Sequence, residues 1–482
     1  MTVIERIVEG KRAEVAARKA ARPLASFADA LAPSDRSLDA ALRAPRTGFV
    51  LECKRASPSK GTIRPDYDPV GIAKEYAPFA DAVSVLADAP WFGGSLDHVA
   101  AVRACVPVPV LCKDFTVDPY QVFEARLHGA DAVLLMRSVL EPAAIAACTA
   151  AADRLAMDCV VEVHDEAELS DAVALGARIV GVNNRDFRTL AVDLDVTRRL
   201  APLVPPGVAL VCESGVRDRA DVRDLRPLAD AFLVGTSLMT RPDLGRAVRE
   251  LVFGRAKVCG LTRPDDAAAA FRSGATHGGL VLAPSPRRLT PDRAREVRDG
   301  APGLAWVGVF VDEEAGAVAE AARSLDLAAV QLHGREDEAY VSALRPLLPA
   351  GCEVWKVVRV GDAPPDLAAC GADRVLLDTA DAALAGGTGR AFDWSLVPAA
   401  GRNRIVLAGG LSPANAATAD ALGCWALDVS SGVEAAPGIK DGARIAAFFG
   451  VLRGNGRAGT ARQVPRRRGA DGAQDEAIGP VR

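Results

Sequence analysis

Two short stretches of the chain combine an apolar run with reactive side chains at its end. Residues 49–61 read FVLECKRASPSKG and end the run with Glu52 and Lys54. Residues 257–263 read KVCGLTR and bring the thiol of Cys259 to the same point. Such a run is typical of a buried strand that opens into a cleft, where a carboxylate–amine pair or a thiol can exchange protons with a substrate. We therefore expect two enzymatic sites in tandem.

More polar residues end apolar runs in the first half of the chain, namely Lys113, Glu162, Asn183 and Glu213. Glu52 and Lys54 are two residues apart on one predicted strand, so their side chains point the same way. Carboxylates and amines around one cavity shift each other's pKa, as acid–base catalysis requires. Structural ion pairs would produce the same set of residues.

Two glycine-containing turns predict a phosphate site in the same half. They are Glu213-Ser214-Gly215 and Gly235-Thr236, and each follows an apolar run. Small residues let several backbone N–H groups approach a phosphate closely. Ordinary glycine turns are the alternative. Both turns, however, follow the last two predicted strands of the half, which is where (β/α)₈ barrels bind phosphate.

The elements that position these residues recur regularly. Short Val/Ile/Leu runs alternate with Ala-rich, charged segments of helical periodicity, about every 20 to 35 residues. In the first half the runs end near Glu52, Leu86, Lys113, Leu135, Glu162, Asn183, Glu213 and Gly235. In the second half they end near Cys259, Leu282, Val311, Leu332, Val358, Asp378, Ala408 and Val429. Continuous apolar runs indicate parallel strands covered on both faces.

Eight such units in each half predict an α/β fold of two tandem (β/α)₈ (TIM) barrels. We also expect an extra amphipathic N-terminal helix and a disordered C-terminal tail. The predicted domains are residues 1–255 and 256–452, followed by the tail, residues 453–482, which lacks the apolar residues to fold. An open doubly wound sheet is the structural alternative, although no GxGxxG sequence follows a first strand.

Composition limits the partners. The 482 residues carry 58 Lys+Arg and 62 Asp+Glu, a net charge of −4. This balance favours neither nucleic acid nor an acidic membrane as a partner. The mixed charges at the N-terminus argue against a targeting signal, so a cytoplasmic location is expected. The 10 cysteines are scattered without CxxC pairs, which favours buried free thiols over a zinc site or a disulfide framework.

The motifs of the first half resemble those of indole-3-glycerol-phosphate synthases. They are ECKRASPSKG, VLCKDF, VVEVHDEAEL, GVNNRDF, CESGV and FLVGTSLM, spread over residues 1 to about 250. The resemblance implies that Lys113 is a general acid in ring closure and that Glu162 moves protons in the dehydration. It implies that Glu52 and Lys54 orient the substrate and assist proton transfer, with the division of acid and base roles between the two Lys/Glu sets left open. Further residues correspond to contacts with the intermediate, Asn183, Arg185 and Glu213, and with phosphate, Ser57, Ser214, Gly215, Gly235 and Thr236.

Cys259 and Asp378 end two predicted strands of the second half. A thiol and a carboxylate across a barrel mouth can act as base and acid. A cysteine protease would need a histidine partner, but neither His277 nor His333 has a matching motif. Taken alone, Cys259 would be assigned a structural role.

The order of motifs changes that interpretation. KVCGLTRPDDA, VGVFV, VQLHG, LLDT, GGTG, FDW, LAGGL and DVSSGVE follow one another and resemble phosphoribosylanthranilate isomerases. The resemblance implies an Amadori rearrangement in which Asp378 opens the ribose ring as the acid and Cys259 removes the C2 proton. It implies that Arg287 faces the anthranilate carboxylate and that residues 386–389 form a mobile loop. The implied phosphate contacts are Gly409, Gly410, Ser430 and Ser431.

The two resemblances support each other because the isomerase product is the synthase substrate. Together they imply two consecutive steps of tryptophan biosynthesis, with the later step in the N-terminal half. We expect small phosphosugar–anthranilate substrates, no cofactor, no metal and a monomer. A phosphosugar isomerase of histidine biosynthesis would place aspartates where Cys259 and Val358 stand. A barrel that has lost its activity and serves only as a scaffold is a further alternative. Such a barrel would not be expected to keep the polar residues at its strand ends, yet both halves have them.

Overall fold

Sixteen parallel strands of the chain close into two barrels of eight. The computed structural model describes residues 2–186, 188–367, 371–380 and 391–454. The first barrel consists of β1 (Gly48–Cys53), β4 (Ala82–Leu86), β5 (Val110–Lys113), β6 (Ala132–Met136), β7 (Asp158–Val163), β8 (Ile179–Asn183), β9 (Ala209–Glu213) and β10 (Ala231–Val234). A small hairpin, β2 (Ala56–Ser57) and β3 (Gly61–Thr62), follows its first strand.

The second barrel begins three residues after the last helix of the first. Its strands are β11 (Ala256–Cys259), β12 (His277–Val281), β13 (Ala305–Phe310), β14 (Ala329–Leu332), β15 (Glu353–Val360), β16 (Arg374–Thr379), β17 (Ile405–Leu407) and β18 (Ala426–Val429). A second small hairpin, β19 (Glu434–Ala436) and β20 (Ile439–Lys440), follows its last strand.

Helices cover the outside of both barrels. In the first half they are α1 (Val3–Ala21), α2 (Leu38–Leu42), α3 (Pro69–Tyr76), α4 (Ala89–Phe92), α5 (Leu96–Cys105), α6 (Tyr120–Leu127), α7 (Pro142–Arg154), α8 (Glu166–Ala174), α9 (Asp195–Leu200), α10 (Arg219–Leu225), α11 (Thr236–Met239) and α12 (Leu244–Phe253). In the second half they are α13 (Pro264–Ser273), α14 (Pro291–Asp299), α15 (Ala315–Ser324), α16 (Glu338–Leu344), α17 (Ala416–Ala421) and α18 (Gly442–Arg453). Within the described ranges, no helix is both long and apolar enough to span a bilayer.

Closure of the two sheets confirms the predicted barrels and excludes the open-sheet alternative. The first and last strands pair in parallel in both barrels, with Gly48 opposite Ala231 and Ala256 opposite Leu427. The barrel strands are buried along most of their length, as the continuous apolar runs indicate. The predicted strand ends agree within two residues, the largest difference being at Val358, where β15 continues to Val360.

Helix α1 is the predicted extra N-terminal helix. Thr2 and Glu5 close a capping box at its start, with the Glu5 N–H donating to Thr2 Oγ1 over 3.3 Å. Lys11 is 2% exposed although it is a lysine, and its Nζ lies 3.0 Å from Asp88 and 2.9 Å from Asp114. Because Asp114 directly follows β5, this buried ion cluster holds α1 beside the carboxyl ends of the first barrel's strands.

Helix α18 corrects the predicted start of the C-terminal tail. We expected the tail from residue 453, but Arg453 is the last residue of α18 and is 8% exposed. Its guanidinium donates to the carbonyl of Thr47 over 3.1 Å and contacts the carboxylate of Asp81 in the first barrel. A buried ion pair therefore orders a residue whose neighbours in sequence suggested disorder. Residues 455–482, and the predicted loop at 386–389, lie outside the described residues.

Candidate active sites

The mouth of the first barrel contains a cavity of about 510 Å³. The carboxyl ends of its strands and the turns that follow them surround this cavity. All twelve residues predicted for this half line it: Glu52, Lys54, Ser57, Lys113, Glu162, Asn183, Arg185, Glu213, Ser214, Gly215, Gly235 and Thr236. The structure therefore brings together side chains that lie up to 184 residues apart in sequence, from Glu52 to Thr236.

Lys113 pairs with two carboxylates in the cavity. Its Nζ contacts the carboxylate of Glu213 and lies 3.6 Å from Oε2 of Glu162. Burial alone would lower the pKa of Lys113, but the carboxylates of Glu213, Glu162 and Glu52 outweigh it and raise the pKa. Burial raises the pKa of Glu213, and the lysine opposes that shift only in part. This pairs a group that keeps its proton with one that gains a proton readily.

Glu52 and Lys54 form the second charged pair in the cavity. Nζ of Lys54 lies 2.6 Å from Oε1 of Glu52, whose side chain is almost completely buried. Gly235 packs against this carboxylate so closely that a Cβ there would lie 2.3 Å from Glu52 Oε1. The turn after β10 can therefore reach the pair only because residue 235 has no side chain.

The turns after β9 and β10 follow neighbouring strands, and both line the cavity. Ser214 has φ +62° and Gly215 has φ +92°, so two successive residues adopt the left-handed conformation. Thr236 begins helix α11, one residue beyond Gly235, which follows β10. Such turns direct backbone N–H groups into a cavity, which is the arrangement that binds phosphate. Ser57 belongs to the β2–β3 hairpin, with its Oγ 3.5 Å from Oγ of Ser59.

Cys259 ends the first strand of the second barrel beside a buried ammonium. Lys257 precedes it by two residues and points to the same face of β11. Nζ of Lys257 donates to Gln331 Oε1 and Asp428 Oδ2, both over 2.9 Å, and the lysine is fully buried. Burial raises the pKa of the Cys259 thiol, while the adjacent Lys257 ammonium opposes that shift. The lysine therefore favours the thiolate that a proton-abstracting cysteine needs.

Asp378 lies in β16 of the same barrel, one residue before the strand ends. Its Oδ1 accepts from the Thr379 N–H over 2.8 Å, and its Oδ2 lies 3.6 Å from Nε2 of His333. Burial raises the pKa of this carboxyl. A Cβ on Gly409 would lie 3.2 Å from Asp378 Oδ1, so the turn after β17 passes close to the carboxyl. A carboxyl with a raised pKa is suited to donate a proton.

The four predicted phosphate contacts of this barrel lie on two loops that touch. Gly409 and Gly410 have φ +78° and +66° after β17, and Ser430 and Ser431 follow β18. The Ser430 hydroxyl donates to the carbonyl of Cys259 over 3.1 Å, which ties the second loop to β11. These residues lie after the seventh and eighth strands, as in the first barrel.

Arg287 lies on the loop after β12, with its guanidinium on a glutamate of the last hairpin. Its Nε and Nη2 donate to Glu434 Oε1 and Oε2 over 2.8 and 2.7 Å. The family resemblance implies that this arginine faces the anthranilate carboxylate of the substrate. The structure adds a carboxylate partner within the protein.

Both halves of the chain match known protein families. The family described as "Indole-3-glycerol phosphate synthase" matches residues 4–251, and the family described as "N-(5'phosphoribosyl)anthranilate (PRA) isomerase" matches residues 256–451. "Tryptophan biosynthesis protein TrpCF" of Yersinia pestis is 48% identical over 453 residues, covering 94% of both chains. The TrpCF protein of Salmonella typhi is 46% identical, covering 94% of this chain and 99% of its own. The chain belongs to the TrpCF family.

A solved structure also matches part of the chain. The phosphoribosyl anthranilate isomerase of Thermus thermophilus is 35% identical, and the match covers 41% of this chain and 98% of that one with a TM-score of 0.38.

Membership in the TrpCF family establishes both activities. The second barrel isomerises N-(5-phosphoribosyl)anthranilate to carboxyphenylamino-deoxyribulose phosphate by an Amadori rearrangement. The first barrel converts that product to indole-3-glycerol phosphate with loss of CO₂ and water. The predicted pair of activities is thus confirmed, and the histidine-pathway and scaffold alternatives are wrong.

The structure also shows residues near the sites that we did not predict from sequence. Nδ1 of His164 lies 3.1 Å from Glu168, and its Nε2 lies 3.6 Å from Glu162. Burial would lower the pKa of His164, but its carboxylate neighbours raise it. The four-residue spacing from His164 to Glu168 was a visible signal of this pair. Apolar residues that line the synthase cavity gave no such signal, namely Phe92, Phe115, Leu134, Met136 and Leu233.

Proposed function

We propose that Lys113 acts as the general acid of ring closure in the first barrel. Ring closure develops negative charge on a carbonyl oxygen of the substrate, which a lysine ammonium stabilises or protonates. The ion pairs of Lys113 with Glu213 and Glu162 support this role because they keep the amine protonated. The single observation that carries the proposal is this ammonium, which lines the cavity between two buried carboxylates.

Glu162, Glu52 and Lys54 are proposed to manage the proton transfers of dehydration. Loss of water needs one group to donate a proton and another to accept one, and the cavity offers carboxylates and amines for both. Asn183, Arg185 and Glu213 are proposed to contact the intermediate. The cavity's apolar wall, which includes Phe92 and Phe115, suits the aromatic ring of the substrate.

The phosphate of the synthase substrate is proposed to bind the turns after β9 and β10. Ser214, Gly215, Gly235 and Thr236 would donate backbone N–H groups, and Ser57 would contribute from the β2–β3 hairpin. Support comes from the left-handed φ angles of Ser214 and Gly215 and from the close packing of Gly235 on Glu52. The phosphate would then lie at the opposite end of the substrate from the ring.

In the second barrel we propose that Asp378 is the acid and Cys259 the base. Asp378 donates to the ribose ring oxygen, which opens the ring, and Cys259 removes the C2 proton to give the enolamine. The raised pKa of Asp378 favours the protonated acid. Gly409, Gly410, Ser430 and Ser431 are proposed to bind the phosphate, and Arg287 the anthranilate carboxylate.

The test is a pair of substitutions at these two positions. We expect Asp378→Asn and Cys259→Ala each to lower isomerase kcat at least about 10³-fold. Synthase activity on supplied carboxyphenylamino-deoxyribulose phosphate should stay unchanged. Cys352→Ala removes another partly buried thiol and should keep both activities. Isomerase activity retained in Cys259→Ala would remove the proposed base.

We further propose that the chain consists of two catalytic units, divided between residues 255 and 256, and works as a monomer in the cytoplasm. The division is supported by the family matches and by the start of β11 at Ala256. The second unit is better ended at residue 454 than at 452, since α18 includes Arg453. Sedimentation equilibrium should give the mass of one chain, and a dimer mass would contradict the monomer.

A further inference from the structure

The ion pair between Arg287 and Glu434 joins two loops at the mouth of the second barrel. Arg287 follows β12, whereas Glu434 begins the small β19–β20 hairpin that follows β18. The two residues are 147 positions apart and meet through two parallel hydrogen bonds of 2.8 and 2.7 Å. A two-bond contact of this kind determines the orientation of a guanidinium plane as well as its position.

Glu434 is itself held in place from several directions. It is 6% exposed, and its Oε1 accepts from Lys440 Nζ over 2.8 Å and from the Gly438 N–H over 3.2 Å. Lys440 also donates to the carbonyl of Ser430 over 3.1 Å. One buried carboxylate therefore connects Arg287 with the loop that carries the proposed phosphate contacts.

The aliphatic part of the Arg287 side chain packs directly beside the end of β11, which carries Cys259. A Cβ on Gly260 would lie 2.5 Å from Arg287 Cδ, and Gly260 follows Cys259. Glu434 takes the Nε–Nη2 edge of the guanidinium, and among the described residues no hydrogen bond uses Nη1. A guanidinium has five N–H donors, so the other edge can receive a second carboxylate.

The charges of this cluster also suit an anion. Arg287 and Lys440 carry two positive charges and Glu434 one negative charge, so one positive charge is left for a substrate. Without Glu434, the flexible arginine would have to be ordered by each substrate molecule that binds.

We infer that Glu434 is a positioning residue that directs the free edge of Arg287 towards the substrate carboxylate and thereby makes the isomerase selective for N-phosphoribosyl arylamines that carry an ortho carboxylate. This inference rests on the proposed role of Arg287. It concerns Glu434 itself, which acts through the arginine and does not touch the substrate.

The experiment compares two substrates with the full-length enzyme. One is N-(5-phosphoribosyl)anthranilate, and the other is the analogue formed from ribose 5-phosphate and aniline, which lacks the carboxylate. We expect Glu434→Gln, which keeps the shape of the side chain, to lower kcat/KM for the anthranilate substrate about 10-fold and for the analogue less than about 2-fold. The loss should lie mainly in KM, because binding of the carboxylate is weakened in ground state and transition state alike.

A second glutamate of the same barrel provides a matched control. Glu336 is also 6% exposed, and Lys356 donates to it over 2.7 Å, but no arginine in the part of the chain that the structure describes pairs with it. Glu336→Gln removes the negative charge that pairs with a buried lysine, just as Glu434→Gln does. We expect Glu336→Gln to leave the ratio of kcat/KM for the two substrates within about 2-fold of the wild type.

Arg287→Gln distinguishes the proposed carboxylate contact of Arg287 from the inferred positioning role of Glu434. If it abolishes discrimination between the substrates, and Glu434→Gln adds less than about 2-fold to it in the double variant, the inference holds. If Arg287→Gln abolishes discrimination but Glu434→Gln leaves it intact, or lowers both substrates equally, the inference fails and the role of Arg287 stands. If Arg287→Gln leaves discrimination intact, the carboxylate contact proposed for Arg287 fails and the inference fails with it.

Discussion

The residues proposed to react in the two sites have acid–base properties set by burial and by nearby charges. In the first barrel, Glu213 and Glu162 hold the proton on Lys113, although burial of the amine opposes this. In the second barrel, burial raises the pKa of both Cys259 and Asp378. Burial alone thus favours the protonated form of Asp378, the proposed acid, but disfavours the thiolate of Cys259, the proposed base. The Lys257 ammonium opposes this effect at the thiol.

Replacement of Lys113 tests whether the synthase step needs the protonated amine. Lys113→Met keeps much of the side chain's volume and removes the ammonium, so we expect synthase kcat to fall at least about 10³-fold. Isomerase activity in the same chain should stay within about 2-fold, because that site lies in the other barrel. The measurement is a separate assay of each step. Loss of both activities would mean that the substitution unfolds the chain or that the sites are coupled.

Glu434 provides a pH-dependent test of stability. Burial opposes its ionisation, but hydrogen bonds from Arg287 and Lys440 hold its pKa at about 2, against 4.5 for an unperturbed glutamate. Because the folded-state pKa is the lower one, the stabilisation is complete above about pH 5 and is lost as pH falls through about 2. The difference corresponds to about 3 kcal/mol.

Denaturant unfolding between pH 5 and pH 2 measures this contribution. We expect the wild type to lose about 3 kcal/mol more than Glu434→Gln over that range, in the transition that includes the second barrel. Equal pH dependence in the two proteins would show that the ion pair does not stabilise the fold.

At the scale of elements, the strands could be predicted because apolar runs buried on both faces leave a clear pattern in the sequence. The polar residues that end those runs were predictable for the same reason. Contacts between elements were not, since Lys257 meets Asp428, 171 residues away, only once the barrel closes. Arg453 shows the same limit, because its partner Asp81 is 372 residues away in sequence.

The two loops of the second barrel that are proposed to bind phosphate, after β17 and β18, offer a test of contacts between elements. Gly432 packs on the loop after β17, and a Cβ there would lie 1.9 Å from the carbonyl oxygen of Leu411. Backbone cannot move aside as a flexible side chain can, so we expect Gly432→Ala to separate the loops at a cost of about 1–3 kcal/mol. The isomerase KM should rise, while synthase kinetics stay unchanged.

Gly316→Ala is the matched control, because a Cβ at that helical position meets nothing within 4 Å. We expect this variant to keep wild-type kinetics and to be no less stable than the wild type. An unchanged isomerase KM in Gly432→Ala would show that contact between the loops does not support substrate binding.

At the scale of the whole molecule, the two barrels share a buried interface. Asp420 of the second barrel accepts from Arg219 over 3.1 Å and pairs with Arg223 and Arg226 of the first at 3.4 and 3.3 Å. Phe253 of α12 packs edge-on against Phe449 of α18, with ring centroids 5.6 Å apart. This combination of a shared carboxylate and an aromatic contact favours one rigid chain over two loosely tethered domains.

Asp420→Ala tests the interface. It leaves three arginines without their common carboxylate, so we expect a loss of about 3 kcal/mol in unfolding free energy. Both activities should remain at 25 °C, since neither site uses Asp420. Scanning calorimetry measures the effect, with Asp299→Ala, which breaks an exposed ion pair with Arg298, expected to change stability by less than about 0.5 kcal/mol. Equal transitions in the two variants would contradict a stabilising interface.

Each barrel is proposed to carry a complete site with its own acid and base. Lys113→Met and Cys259→Ala should each fail to convert phosphoribosylanthranilate to indole-3-glycerol phosphate. Mixed in equal amounts, the two variants should restore the conversion, because the intermediate released by one diffuses to the intact synthase site of the other. The measurement is the rate at which the mixture forms indole-3-glycerol phosphate from phosphoribosylanthranilate. A mixture as inactive as its components would contradict two self-sufficient sites.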